Sequence, residues 1–405
     1  MGGVGTDRAA VVVLVRRTLY VILIGAGAAS LPFIGQYGPL PTTALLDAWF
    51  ILFMFAAISR GPLPAAGTIF ALSCYLLFLR AIPAIWNGSP VEDFLQAYRW
   101  VLYLVGFALA VGRRWGPIGP LVKVMWALLG MALVKAAATF ALLGPGNRPG
   151  LLLENNFEMA LFAGLIAVLY HDLGRSRLWA IAALGALTLL SGSRSGAVAF
   201  LVLAVYALSQ QRTRDMFLRY LAVLAVPLLI SIPVGIFGAR AAQSSNIDRL
   251  NFLDVFLRDT QSWNLGTWLF GTPPITPLSY GACDRLAFYD RLFASTGDGS
   301  CYSVILHAFV LRVVYDAGVV GLLMAFGVTW YLMRKAQVRT SLALCLLGIA
   351  VTNSLSVSGL NNPYVALPIA LAIMTASAVA PRLERAPRQE PSPRRYRQQL
   401  AGERR

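Results

Sequence analysis

The sequence predicts an all-α polytopic membrane protein, and three observations carry that prediction. Hydrophobic residues make up 58% of the chain and charged ones 13%, a balance unlike that of an ordinary soluble domain. Apolar runs of about 18 to 25 residues recur along it, the length a helix needs to cross a bilayer. These runs lack the period-two alternation of outer-membrane strands, and a helix satisfies its own backbone groups in lipid.

Twelve spans follow in chain order, at 18–34, 42–59, 65–86, 94–111, 118–143, 156–170, 177–191, 195–209, 217–238, 304–333, 341–356 and 363–380. Arg8, Arg16 and Arg17 precede the first run without a small-residue cleavage site at signal-peptide distance, so that run reads as a first helix. Residues 1–380 form the membrane domain. The segment 381–405, rich in Pro, Gln and Arg, reads as a disordered basic cytoplasmic tail held near anionic lipid.

The net charge of +16 does not point to nucleic acid, because the arginines are dispersed among apolar segments. With both termini cytoplasmic, most basic residues fall on the inner side, as the positive-inside rule asks. Eleven do not: Arg80, Arg99, Lys135, Arg148, Arg194, Arg240, Arg249, Arg258, Arg285, Arg291 and Arg312. Cations kept on the outer side, some at membrane depth, point to an anionic partner there. The plainer reading is that roughly half pair with acids such as Asp47, Glu92, Asp93, Glu154 and Glu158.

One outer loop is long, 239–303, between spans nine and ten. Within it Ser245 and Asp248 have capping-box spacing, and Ile247, Leu250, Leu253 and Leu257 recur on one face, which predicts an amphipathic helix lying on the membrane or on the bundle. The following Gly-, Pro- and aromatic-rich stretch predicts an ordered loop. Cys283 and Cys301 lie in this loop. A disulfide worth about 3 kcal/mol and two unpaired thiols both remain open. No Cys or His spacing resembles a metal site.

Four outer elements could carry chemistry. GPGNRPGLLLENN holds Arg148 in a Gly/Pro turn, with Asn155, Asn156 and Glu158 at a helix mouth. SGSRSG is a tight turn centred on Arg194. Arg249 and Arg258 lie on the amphipathic helix, and His307 opens the tenth span. Taken singly, these arginines read as interfacial anchors and the histidine as a packing residue. Together they describe a phosphate-handling site, since guanidinium is a fixed bidentate donor to phosphate oxygens and imidazole is a base near neutral pH. On a continuous helix through His307, Asp316 would stand about 180° away, and Arg312 and Asp316 would form an i, i+4 pair. His307 is therefore favoured as the base. His171, at a cytoplasmic turn, is excluded by topology.

The RPGLLLENN and SGSRSG turns, the long loop with its arginine and LFG, and the spacing of His307, Gly318 and Gly321 resemble the bacterial O-antigen ligase and O-antigen polymerase family. The likeness covers roughly residues 140 to 330. It implies a glycosyltransferase of the bacterial inner membrane with a periplasmic active site, which moves a glycan from undecaprenyl pyrophosphate to an acceptor sugar hydroxyl without metal or cofactor. It also implies that Arg194 and Arg249 bind pyrophosphate and that His307 is catalytic. Its expected partners are the lipid-linked glycan, an acceptor glycan, membrane lipid, a flippase and a chain-length regulator. Ligases of the family carry Asn, Ser or Gln directly after the histidine. Ala308 stands there in this chain, which favours a polymerase of O-antigen or exopolysaccharide over a ligase acting on lipid A-core. A transporter or flippase for the lipid-linked saccharide is the rival from another class, but no internal repeat is evident. A purely structural membrane subunit would leave the outward arginines unexplained.

Overall fold

A computed structural model describes residues 3–59, 61–144, 147, 150–210 and 248–376. The regular elements among them are all helical. In chain order they are α1 (Gly3–Ser30), α2 (Thr42–Ile58), α3 (Ala66–Trp86), α4 (Val91–Ala110), α5 (Gly119–Leu143), α6 (Asn155–Leu169), α7 (Arg177–Ser191) and α8 (Arg194–Ser209). There follow α9 (Asp248–Asp259), α10 (Leu265–Phe270), α11 (Tyr280–Arg285), α12 (Phe309–Lys335), α13 (Thr340–Ser354) and α14 (Pro363–Ala376). The expected span at 217–238, the cap residue Ser245 and the tail at 381–405 lie outside the described residues.

Among the described residues, four helices are long and apolar enough to cross a membrane: Val11–Ser30 within α1, α3, α5 and α12. The apolar helices α2, α6, α8, α13 and α14 are shorter. Of these, α6 and α14 are buried along almost their whole length. A helix surrounded by protein need not match the bilayer thickness, because its neighbours rather than lipid meet its ends. Gly164 makes the α6–α14 contact possible: a Cβ there would lie 2.6 Å from Cβ of Pro368.

Two local features shape the end of the bundle that carries His307. Pro83 has no N–H and its ring crowds the carbonyl four residues before it, so α3 widens to a π-helix over Tyr75–Ala81 and turns Arg80 inward. In α12, Gly318 adopts φ 68° and ψ −174°, a conformation essentially reserved for glycine, and the helix breaks there.

The long loop has a small core of its own. Phe252, Val255 and Phe256 of α9 pack with Leu278, Cys283, Leu286, Cys301, Ile305 and Leu306, and with Val314 and Tyr315 of α12. Cys283 and Cys301 are joined in a disulfide whose Cα atoms are 5.6 Å apart. Asn264 and Ser279 cap α10 and α11 by accepting from Thr267 N and Ala282 N. So small a core leans on its crosslink. Cys301→Ser is expected to destabilise the loop by about 2 to 4 kcal/mol, seen as a lower thermal midpoint in detergent that the reduced wild type reproduces.

Candidate active site at the His307 end of the bundle

His307 lies outside α12. It follows the 3₁₀ turn Ser303–Leu306 and precedes the first helical residue, Phe309. Its φ of 54° and ψ of −44°, with Ala308 N donating to Leu306 O at 2.5 Å, define a γ-turn of the rare, strained kind. The side chain is half-buried between two aromatic rings, Phe252 of α9 at 5.4 Å and Tyr289 at 5.2 Å between centroids. Ile275 and Gln337 also have positive φ; His307 differs in joining that backbone to a titratable ring. The helical-wheel relation expected between His307 and Asp316 therefore does not hold, because the chain turns before the helix starts.

Nor do Arg312 and Asp316 form the expected ion pair. Asp316 accepts from Ser303 Oγ at 2.5 Å, while buried Arg312 donates to Gln96 O at 3.2 Å and Ser358 Oγ at 3.3 Å. The break at Gly318 frees backbone groups that other elements satisfy. Arg80 donates to Asp316 O at 2.7 Å and to Phe270 O at 3.2 Å, and Thr272 N donates to Tyr315 O at 2.9 Å. Lys135 behaves in the same way, donating to Ser30 Oγ at 2.5 Å and Gly150 O at 2.7 Å. Of the cations expected at membrane depth, Arg80, Lys135 and Arg312 thus hold the chain's own carbonyls and hydroxyls. Arg99 takes the expected acid, Asp47, at 3.3 Å.

The two turns singled out in the sequence come together. Gly192, with φ 61°, ends α7 in the left-handed conformation, and Ser193 starts α8 by accepting from Gly196 N at 3.1 Å. Arg194, half-buried, is thereby fixed between two serines. Both serine hydroxyls donate to Oδ1 of buried Asn156, at 2.9 Å from Ser193 and 2.7 Å from Ser195. Asn156 also donates to Glu154 Oε1 at 2.8 Å. Glu158 is buried and accepts from the backbone N–H groups of Leu152 and Leu153, so it folds the preceding turn. Asn155 is the first residue of α6.

The end of α13 ties this cluster to His307. Asn353 Nδ2 donates to Asn156 O at 3.1 Å, Val357 O accepts from Phe309 N at 2.9 Å, and Ser358 receives Arg312. Asn361 then bridges to α4, accepting from Trp100 N at 2.8 Å and donating to Gln96 O at 2.6 Å. Asn353 Oδ1 and Ser354 Oγ are buried without a hydrogen-bond partner among the described residues. The sequence signal for this stretch is TNSLSVSGLNN at 352–362, a conspicuous polar interruption between two apolar helices.

The remaining candidates do not all converge. Arg249 and Arg258 are both on α9, but nine residues place them about half a turn apart. Arg258 is exposed and paired with Asp254 at 2.9 Å, which Arg285 shares at 3.2 Å. Arg258 therefore faces away from any anion at position 249. Arg148 lies outside the described residues. In the loop, Ser300 N–H and hydroxyl hold Asp298 below the usual carboxylate range, and burial raises the Tyr302 phenol. At the opposite end of α12, His171 Nε2 is 2.9 Å from Arg339, and burial, then this guanidinium, lower its pKa.

A cavity of about 370 Å³ between α2 and α4 is apolar apart from Asp47, Gln96, Arg99 and Tyr103, and His307 does not line it. Among the described residues, no cluster of three or more His, Cys, Asp or Glu side chains could hold a metal ion. What the His307 end offers chemically is an imidazole in a constrained turn and a guanidinium in a hydrogen-bonded turn, linked through α13. Comparison with family models, with curated proteins and with solved structures finds no match to this chain.

Proposed function

We propose that the chain is a membrane glycosyltransferase that polymerises undecaprenyl-pyrophosphate-linked oligosaccharide repeat units at the periplasmic face of the bacterial inner membrane, for O-antigen or exopolysaccharide. Twelve spans, with both termini cytoplasmic, belong to the same reading. The observation that carries it is the strained turn at His307. A bulky residue held at positive φ is the kind of outlier that clusters at active sites, and this one presents a general base at the end of the bundle where Arg194 is also braced.

In this reaction His307 accepts the proton of the acceptor sugar hydroxyl as its oxygen attacks the anomeric carbon. The bond from that carbon to the diphosphate breaks, the diphosphate leaves with the electron pair, and configuration inverts. Arg194, with Arg249 and Arg148, offsets the charge growing on the leaving group. The small, buried Ala308, with no polar group to offer an acceptor, favours the polymerase over the lipid A-core ligase.

The test is purified protein with a synthetic lipid-linked oligosaccharide. Chain growth without lipid A supports the polymerase, transfer only onto lipid A-core supports the ligase, and no transfer with either acceptor defeats both transferase readings and returns the flippase. Arg194→Ala is expected to slow transfer by about 10²- to 10³-fold. Arg194→Lys should recover only part of that loss, since an ammonium lacks the bidentate fork.

A further inference from the structure

The amphipathic helix α9 has two apolar faces rather than one. Phe252, Val255 and Phe256 are buried against the loop core, as described. The residues expected from the sequence to form the apolar face point elsewhere: Leu250 is 61%, Leu253 40% and Leu257 51% exposed. These three leucines fall within an arc of about 60°, with Arg258 roughly 100° from Leu257. A soluble loop has no reason to present such a stripe to water.

The depth of α9 says what covers it. Phe256 packs on Trp263 at 6.2 Å, and Trp263 on Tyr315 of α12 at 5.5 Å. Below the Gly318 break, α12 runs unbroken to its basic end at Arg334 and Lys335, about 25 Å of helix. The hydrocarbon core of a bilayer is about 30 Å thick. With the basic end at one interface, Tyr315 therefore lies within a few ångströms of the other, and α9 is fastened at that level. Trp263 and Trp268, 5.2 Å apart beside it, are the residue type enriched at membrane–water boundaries. Just past the break, Val319, Val320 and Leu323 are exposed, as a lipid-facing side would be. The Asp254, Arg258 and Arg285 cluster supplies the polar edge of the helix.

We propose that α9 is an interfacial helix whose Leu250, Leu253 and Leu257 face is immersed in the membrane leaflet at the His307 end. Its partner is the lipid surface, and its reverse face holds the ring of His307 through Phe252. The proposal stands apart from the glycosyltransferase reading and would survive its failure.

Nitroxide labels placed by Leu253→Cys, Leu257→Cys and Arg258→Cys test it. The background is Cys74→Ala with Cys345→Ala, which leaves the Cys283–Cys301 disulfide in place. In phospholipid nanodiscs, collisions with oxygen should exceed those with a nickel chelate several-fold at 253 and 257, and the order should reverse at 258. Equal access of the chelate to all three positions overturns the proposal, because the face is then in water. Low access of both reagents at 253 and 257 overturns it equally, since protein, another copy included, then covers the face. Two labelled leucine positions guard against one variant failing to fold.

Discussion

Replacing His307 with glycine should abolish glycan transfer while leaving the protein as stable as the wild type. The expectation rests on the γ-turn. A non-glycine residue at φ 54° is strained, on the order of 1–3 kcal/mol, and glycine adopts positive φ without that penalty. Loss of the ring contacts with Phe252 and Tyr289 offsets the relief, at about 0.5–1.5 kcal/mol for an aromatic pair. The two effects are similar in size, so the thermal midpoint in detergent should stay close to that of the wild type. Activity should not: in the proposed mechanism His307 is the general base, and removing such a group costs about 10²- to 10⁴-fold. His307→Ala, which keeps the strain and loses the ring, should be both inactive and less stable. This pair separates a catalytic histidine from a structural one. If His307 only packs, transfer by the glycine variant will follow the amount of folded protein and remain near normal.

The strain also marks the limit of what sequence could show. Helices coincide with eleven of the twelve apolar runs, because segment length and apolarity are local properties, but among the described residues only four of these helices are long and apolar enough to cross a membrane. The tight turn at SGSRSG was legible too, although its centre is the Gly192–Ser193 link and Arg194 already belongs to α8. What could not be read was backbone conformation set by tertiary contact. A helical wheel drawn from His307 through Asp316 assumed regular dihedrals across residues 307 and 308, and the γ-turn breaks that assumption. The apolar stripe on α9 was found, but not that phenylalanines on its other side anchor the helix. Cations at membrane depth point to an anion site when seen in sequence alone, whereas three of them satisfy carbonyls and hydroxyls from helix ends and breaks. No sequence pattern announces a freed carbonyl. The Ser- and Asn-rich link after α13 was visible in the sequence and became meaningful only once Asn353 met Asn156.

Gly318→Ala should be among the most damaging single-methyl changes in the chain, and its effect should reach the loop that holds His307. At φ 68° and ψ −174° an alanine is in a region nearly closed to L-residues. Its Cβ would also stand 2.2 Å from Leu269 O, 2.3 Å from Leu269 C and 2.4 Å from Phe270 N, all backbone atoms that no rotamer change can move. The end of α10 would be forced off α12, and with it the Arg80 and Thr272 hydrogen bonds that close the break. Conformational strain and overpacking together put the cost at roughly 3–5 kcal/mol. Gly327→Ala, in the regular part of the same helix with nothing within 4 Å of the new methyl, should be neutral or stabilising by up to about 1 kcal/mol. Thermal unfolding of the two variants side by side measures the contrast, and limited proteolysis of the 248–306 segment reports whether the loop has come loose. Equal midpoints would mean that α12 is continuous through residue 318. The loop would then have to be held at the His307 end by its own small core and its disulfide alone.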